Sequence, residues 1–157
     1  PCGNFNSMTK HCTCTISSIK KYLQKIPGPF IDRIDMWTLV QHLPYEELSK
    51  QGNSLEGVKM RSEIKSAREF GERRFLNIGD KPKLNKSLST KELSIHAKLG
   101  TKETETLNRF AKQFQISPRS YHRIIRLART IADLEQSEQI QDRHIIEAFQ
   151  YRPKLQV

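Results

Sequence analysis

The stretch from Ser117 to Glu135, SPRSYHRIIRLARTIADLE, constrains the fold more than any other part of this sequence. At about 100° per residue, its apolar residues fall on one broad arc of a helix and its arginines fall elsewhere. Ser117 is a suitable N-cap, and Pro118 suits the first helical position. The pattern predicts an amphipathic helix whose buried arc comprises Ile124, Ile125, Leu127, Ala128, Ile131, Ala132 and Leu134.

The four arginines of this helix are not equivalent. Arg119 lies in the first turn, where a cation opposes the helix dipole and where free backbone amides point towards an anion. Arg123, Arg126 and Arg129 follow one to three turns later. We therefore expect Arg119 to share its site with an anion, and the other three to be mainly surface or interface residues.

Four further helices are predicted along the chain. Apolar residues at spacings of three and four predict helices over 15–25, over 57–78, and from 101 or 102 to 114. The run Ser89-Thr90-Lys91-Glu92 has the spacing of a capping box and predicts a short helix that ends near Leu99.

A strand and a last helix complete the predicted elements. Residues 34–40, which include Trp37, have the β-branched and aromatic content of a strand. Asp142 is placed to cap a helix that contains Ile145 and Phe149. The predicted structure is therefore mainly helical.

The long helix over 57–78 has an apolar stripe and a charged remainder. We expect the stripe to be buried; it comprises Met60, Ile64, Ala67, Gly71, Phe75 and Ile78. The basic residues are interleaved with glutamates, and no aromatic platform accompanies them, so we interpret them as a solvated surface and not as a nucleic-acid track. They are Lys59, Arg61, Lys65, Arg68, Arg73 and Arg74.

Two regions of the sequence carry a family resemblance. The run Ser117–Arg152 contains SPRSYHR, ARTIADLE and HIIEAFQYR, and residues 28–35 are GPFIDRID. These segments resemble magnesium-chelatase-like AAA+ ATPases of the YifB/ComM type. The resemblance implies the end of an AAA+ α/β core over 1–49, a linker over 50–57, and a C-terminal helical lid domain, a helix bundle, over 58–157.

The resemblance also implies roles for two arginines. In these ATPases the arginine of the S-x-R motif, called sensor 2, reaches the nucleotide phosphates, and the matching residue is Arg119. The arginine of the GPLLDRIDL box is the finger that one subunit inserts into its neighbour's ATP site, and the matching residue is Arg33. A planar, permanently charged fork suits a transferring phosphoryl group. The alternative is that Arg33 forms an ordinary salt bridge with Asp32 or Asp35.

Cys2, Cys12 and Cys14 are the only cysteines of the sequence. Their odd number argues against a closed set of disulfides, and a tetrahedral zinc ion takes four nitrogen or sulfur ligands. His11 could be the fourth ligand, whereas the resemblance implies a further cysteine just upstream of Pro1. The sequence thus predicts a zinc site that is incomplete here, with three unrelated reduced thiols as the alternative.

The sequence contains no G-x-x-x-x-G-K-[ST] phosphate loop. Because the sequence begins with Pro1-Cys2 and not with Met, we expect it to be a segment of a longer protein. Because it lacks the phosphate loop, we expect this segment alone to have no ATPase activity. The resemblance implies that the complete protein uses ATP and Mg²⁺ and forms a hexameric ring with other copies of itself. Of the other histidines, His42 has no ligand-like partner nearby in sequence, and we interpret three without a partner spacing as structural: His96, His122 and His144.

The charge balance bears on partners and location. The sequence has 27 Lys+Arg against 17 Asp+Glu, a net charge of +10, which favours polyanionic partners. It has no apolar run near the length of about 20 residues that a membrane span needs, and no signal peptide, so we expect a cytoplasmic protein. The resemblance implies DNA remodelling or helicase activity of the kind associated with competence.

A rival hypothesis is a free-standing basic helical domain that binds DNA by a helix-turn-helix. The net charge and the consecutive helices around Ser117 favour it. Against it, Gln115-Ile116-Ser117 lacks the glycine usual in that turn, and the first residues of the second helix offer no Asn or Gln to the bases. A preference for particular DNA sequences would distinguish this hypothesis from the motor.

Overall fold

The part of the 157-residue chain that the computed structural model describes comprises residues 1–5, 7, 10–40 and 54–153. The chain divides into two compact units, Pro1–Lys50 with Arg152–Val157, and Gln51–Tyr151. Helices are the regular elements of the described residues, as predicted. None of these helices is both long enough and apolar enough to cross a membrane.

The first unit contains two short helices, α1 (Ile16–Leu23) and α2 (Gly28–Ile31). Thr15 caps α1, because its Oγ1 accepts a hydrogen bond from the Ser18 amide at 3.3 Å. Ile19 is the buried residue of this helix. The helix predicted over 15–25 is thereby confirmed, with slightly closer ends.

The strand predicted over 34–40 is wrong. All seven residues are described, and none of them lies in a strand. A strand needs a neighbour to pair with its backbone groups, and no described residue provides a ladder here. Instead, Arg152 Nη1 donates to the Ile34 carbonyl at 3.2 Å, and Arg152 Nη2 lies 3.5 Å from Asp32 Oδ1.

The second unit is a bundle organised around one helix. Its elements in chain order are α3 (Ser54–Leu76), a 3-10 helix (Asn85–Ser87), α4 (Thr90–His96), α5 (Thr101–Gln113), α6 (Pro118–Leu134) and α7 (Asp142–Gln150). α6 packs against α3, the 3-10 helix, α4 and α7. The largest buried apolar side chains are those of Phe75, Leu88, Leu93, Leu107, Ile124, Ile125, Ile131, Ile140 and Ile145.

α6 forms as its sequence predicts. The Ser117 hydroxyl accepts a hydrogen bond from the Ser120 amide at 3.2 Å, and Pro118 occupies the first turn. The apolar arc is buried as far as Ala132, except for Leu127, which is partly buried. Leu134, predicted on the same arc, is 52 % exposed because it is the last residue of the helix and lies beyond the packed turns.

Ser89 and Glu92 form the predicted capping box at the start of α4. The Ser89 hydroxyl accepts from the Glu92 amide at 3.3 Å, and Glu92 Oε2 accepts from the Ser89 amide at 2.8 Å. Hydrogen bonds from Lys83 and then from Ser89 lower the pKa of Glu92 to about 2. α4 ends at His96, before its predicted end, because Lys98 adopts a φ of 49°, outside the helical region.

Only part of the apolar stripe predicted on the long helix α3 is buried. Ala67 and Phe75 are buried, whereas Met60, Ile64 and Ile78 are about half exposed. The burial is confined to the C-terminal half of α3, so the expectation of a continuous buried stripe is wrong. An exposed apolar surface therefore remains on the N-terminal half.

The histidines of the second unit make local contacts. His96 is buried, with its ring 4.1 Å from that of Phe75 and its Nε2 3.2 Å from Asp80 Oδ2. His144 Nδ1 accepts the amide hydrogen of Gln141 at 3.0 Å. Gln141 is thereby the N-cap of α7 in place of Asp142, which is the first residue of the helix.

Candidate functional site

The first turn of α6 presents Arg119 to solvent. Ser117 and Pro118 fix the start of the helix, and the buried arc that follows fixes its direction. Within the described part of the chain, the Arg119 side chain makes no hydrogen bond or ion pair. A guanidinium that opposes its own helix dipole and has no counter-ion is suited to bind an anion from another molecule.

The other arginines of α6 do not share this environment. Arg126 donates from Nε and Nη2 to the Leu88 carbonyl, at 3.1 and 2.7 Å. Arg129 is 0 % exposed. The expectation that these arginines are mainly surface or interface residues is therefore wrong for Arg129, which belongs to the interior of the unit. Arg126 is half-buried and holds α6 to the segment before α4.

Arg129 belongs to a buried arginine cluster made of Arg74, Arg129, Asp133 and Asn85. Arg74 Nη1 and Nη2 lie 2.5 and 3.2 Å from the Asp133 carboxylate oxygens, and Arg129 Nε lies 3.1 Å from Asp133 Oδ1. Asn85 Nδ2 donates to Asp133 Oδ2 at 2.7 Å. Arg74, expected on a solvated face of α3, is buried instead because it pairs with this carboxylate.

Two guanidinium groups thus share one carboxylate in the interior. Arg129 also donates to the carbonyl oxygens of Ala97, Ser137 and Glu138, which spreads its charge over backbone dipoles. Burial lowers the pKa of Arg129, and the nearby Arg74 adds to that effect while Asp133 opposes it. The cluster joins α3, the 3-10 helix, α6 and the turn after α6. Its role is therefore to hold these elements of the second unit together.

This cluster was not predicted from the sequence, although one of its two ion pairs has a recognisable spacing. Arg129 and Asp133 are four residues apart, the spacing at which opposite charges meet on one helix face. Arg74 and Asp133 are separated by 59 residues, and no local pattern connects them.

Arg33 lies in the first unit, just after α2, and its side chain is exposed. Arg33 Nη1 donates to the Pro29 carbonyl at 2.7 Å. Asp32, one of the expected salt-bridge partners, lies 3.5 Å from Arg152. The guanidinium lies at the surface, next to the short helix that its box encodes.

The three cysteines of the first unit lie together. The Cys2 and Cys12 sulfur atoms are 3.6 Å apart, and all three sulfur atoms lie within 4.8 Å of one another. A tetrahedral zinc ion with Zn–S bonds of about 2.3 Å places its sulfur ligands about 3.8 Å apart, so the residues present fit such an ion. Among the described residues, His11 is not a member of this group, and the geometry does not favour it as the fourth ligand.

Hydrogen bonds to the Cys2 sulfur stabilise its thiolate form. The Asn4 amide donates to it at 3.4 Å, and this bond, followed by one from the Thr13 backbone, lowers the pKa of the Cys2 thiol to about 7. The Cys2 amide in turn donates to the Cys14 sulfur at 3.0 Å. A cluster of this kind can bind a soft or borderline metal ion, because the thiolate and not the thiol is the ligand.

Comparison with known proteins gives matches over nearly the whole chain. The family described as magnesium chelatase, subunit ChlI C-terminal, matches residues 55–152, and the family described as magnesium chelatase, subunit ChlI, matches residues 1–48. Competence protein ComM of Haemophilus influenzae is 33% identical over 153 residues, which cover 97% of this chain and 28% of the relative. Uncharacterized protein YifB of Escherichia coli is 34% identical over 155 residues, which cover 97% of this chain and 29% of the relative.

The chain thus spans less than a third of the length of these two curated relatives. The resemblance to magnesium-chelatase-like proteins of the YifB/ComM type is confirmed. Because the first family match covers more than half of the sequence, the chain belongs to the magnesium chelatase ChlI C-terminal family.

Proposed function

We propose that this chain is the finger and lid segment of an AAA+ motor that hydrolyses ATP. The observation that carries the proposal is the contrast among the arginines of α6. Arg126 and Arg129 are held by carbonyl and carboxylate groups of the same unit. Among these arginines, Arg119 combines an exposed position in the first turn with a side chain that makes no hydrogen bond or ion pair within the described residues, as a sensor for a nucleotide phosphate requires.

The packing of α6 supports this role. The apolar arc and the buried arginine cluster hold the helix on several sides, so that the position of its first turn is fixed relative to the bundle. A phosphate oxygen close to Arg119 would gain a charge-assisted hydrogen bond. Closure of the lid over bound ATP would bring the guanidinium to the phosphates, either of its own subunit or of a neighbour.

We assign Arg33 the role of the finger that acts on the ATP site of the next subunit. Its exposed guanidinium is a planar fork of permanent charge, which can stabilise the charge spread over a transferring phosphoryl group. This assignment implies that the complete protein binds ATP with Mg²⁺ and works as a ring, hexameric in our proposal, in the cytoplasm.

We further propose that the motor acts on DNA. The name of one relative, competence protein ComM, connects that protein with competence, and the net charge of +10 of this chain favours a polyanion.

The described structure also makes the rival hypothesis, DNA binding by a helix-turn-helix, less favourable. Gln115 adopts a φ of 48° without being glycine, so the turn itself is possible. However, Arg126 and Arg129 of α6 donate to carbonyl and carboxylate groups of the same unit, so these two side chains are not available to the bases of a major groove.

Arg119→Ala separates the proposed role from a structural one. In the 157-residue chain we expect the free energy of unfolding to stay the same or rise by a few tenths of a kcal/mol, because a cation that opposes the helix dipole is removed. In the complete protein we expect ATP turnover to fall by about ten- to a hundredfold, because a charge-assisted bond to phosphate is lost. Thermal melting and steady-state ATP hydrolysis measure the two effects.

Arg109→Ala is the matched control, because Arg109 is an exposed arginine on the neighbouring helix α5. It should change neither quantity. Unchanged turnover in Arg119→Ala, or a variant chain that no longer folds, would contradict the sensor assignment.

We propose that the three cysteines hold zinc in the complete protein, with a fourth ligand from outside this sequence. The distances between the sulfur atoms support this proposal. We expect about one zinc ion per complete chain by elemental analysis, and less than half of that in Cys12→Ser. Lys10→Ser, an exposed neighbour, is the control. A metal-free complete protein, or full zinc content in Cys12→Ser, would exclude this site.

A further inference from the structure

A groove with a volume of about 550 Å³ lies on the second unit, between α3, residues 82–86 and the C-terminal end of α6. Its apolar lining includes Ile64, Leu84 and Leu134. These three side chains are 48 %, 51 % and 52 % exposed. A cluster of half-exposed large apolar residues in a concave surface is typical of a protein docking site.

The exposed apolar surface continues beyond the groove along α3. Met60 precedes Ile64 by four residues, and it is 53 % exposed. Residues at this spacing lie on one face of a helix, one turn apart. The surface therefore extends along α3 by about one turn beyond the groove, which matches an elongated partner better than a compact small molecule.

The charged residues of the groove are mainly basic. Arg68, Arg74, Lys83 and Lys86 line it, against Glu72 and Asp133. The Asp133 charge is already matched by the two arginines of the buried arginine cluster, and Lys83 pairs with Glu92. Within the described residues, Arg68, Lys86 and Glu72 form no ion pair, so these three leave the rim with one excess positive charge.

We propose that this groove binds an acidic amphipathic helix of a partner protein. Such a helix would place apolar side chains at i, i+3 or i+4 and i+7 against Ile64, Leu84 and Leu134, and its carboxylates next to Arg68 and Lys86. This inference is independent of the proposed roles of Arg33 and Arg119, since neither residue lines the groove, which lies at the C-terminal end of α6.

Two other occupants fit less well. A second copy of the chain, with 27 Lys+Arg against 17 Asp+Glu, would not supply the excess of carboxylates that a basic rim favours. Single-stranded nucleic acid is bound by aromatic side chains on which the bases stack, and the residues that line this groove include no aromatic one. An acidic amphipathic helix satisfies both the apolar lining and the charge.

The test uses the 157-residue chain and a fluorescein-labelled designed peptide of about 18 residues, or five helical turns. The peptide has leucines at the i, i+3, i+4 and i+7 spacing and mainly glutamates elsewhere. We expect saturable binding with one peptide per chain, measured by fluorescence anisotropy. The double variant Leu84→Ser/Leu134→Ser should weaken binding by at least about tenfold, because apolar contact area is lost.

Matched controls separate docking from general attraction. Ile95→Ser removes an equally exposed apolar side chain on α4, outside the groove, and should change the affinity by less than about twofold. Lys86→Glu should weaken binding by about threefold or more at low salt, with a smaller effect at high salt, whereas Lys112→Glu on α5 should not. Since Lys86 and Lys112 are exposed, these variants should fold even if the double leucine variant does not.

Three results would overturn the proposal. A scrambled peptide of the same composition could bind as tightly, which would indicate charge attraction without docking. The leucine and Lys86 variants could bind like the unchanged chain, which would place the peptide elsewhere. The peptide could fail to bind while oligothymidine binds the unchanged chain and binds these variants more weakly. That result would make the groove a nucleic-acid site.

Discussion

Asp133→Ala is expected to lower the free energy of unfolding of the 157-residue chain by about 3–5 kcal/mol. The carboxylate of Asp133 is the counter-ion of both Arg74 and Arg129, and all three side chains are buried. Its removal leaves two guanidinium groups close together in the interior without an opposite charge. A change of this size should lower the melting temperature by more than about 10 °C.

Arg74→Met tests this explanation within the same cluster. It removes one of the two positive charges and leaves the pair of Arg129 and Asp133 balanced, so it should destabilise the chain less than Asp133→Ala does. Glu138→Ala is the surface control, because its carboxylate is exposed and lies 4.0 Å from Lys98. It should change the free energy of unfolding by less than about 0.5 kcal/mol.

Thermal and urea-induced unfolding, followed by circular dichroism, measures these differences. If Asp133→Ala and Glu138→Ala melted at the same temperature, the buried arginine cluster would not be a major source of stability. If Arg74→Met cost more than Asp133→Ala, the uncompensated charge would not be the cause.

Arg33→Ala is expected to slow ATP hydrolysis by the complete protein by about a thousandfold, the lower range for loss of an arginine finger. Nucleotide binding should stay within about threefold of the unchanged protein, because the finger acts on the transition state of a neighbouring site. Hydrolysis by steady-state assay and binding of a fluorescent nucleotide give the two values. Lys25→Ala, an exposed cation of the same unit, is the control.

Mixed rings distinguish action in trans from a local role. Arg33→Ala should regain part of its activity when it is mixed with a subunit whose own phosphate loop is inactivated, because each subunit then supplies what the other lacks. Absence of rescue at every mixing ratio would indicate that Arg33 serves its own subunit or only the fold. Loss of nucleotide binding in Arg33→Ala would point to the same conclusion.

Much of the secondary structure could be predicted because its signals are local. The hydroxyl of Ser117 and the pair of Ser89 and Glu92 act within three residues of a helix start, and both caps form as predicted. The three and four spacing of α6 likewise defined its buried arc. The family resemblance, carried by short segments around Arg33 and Arg119, was also present in the sequence alone.

The tertiary structure alone decided which charges are solvated and which elements are paired. Arg74 and Arg129 are of a residue type that is usually exposed, yet both are buried beside Asp133. A buried charge is tolerated when a counter-ion is fixed beside it. Residues 34–40 have the composition of a strand, but a strand also requires a partner along its backbone. Helix caps depend on neighbours in sequence, whereas ion pairs and strand pairs depend on residues that only folding brings together.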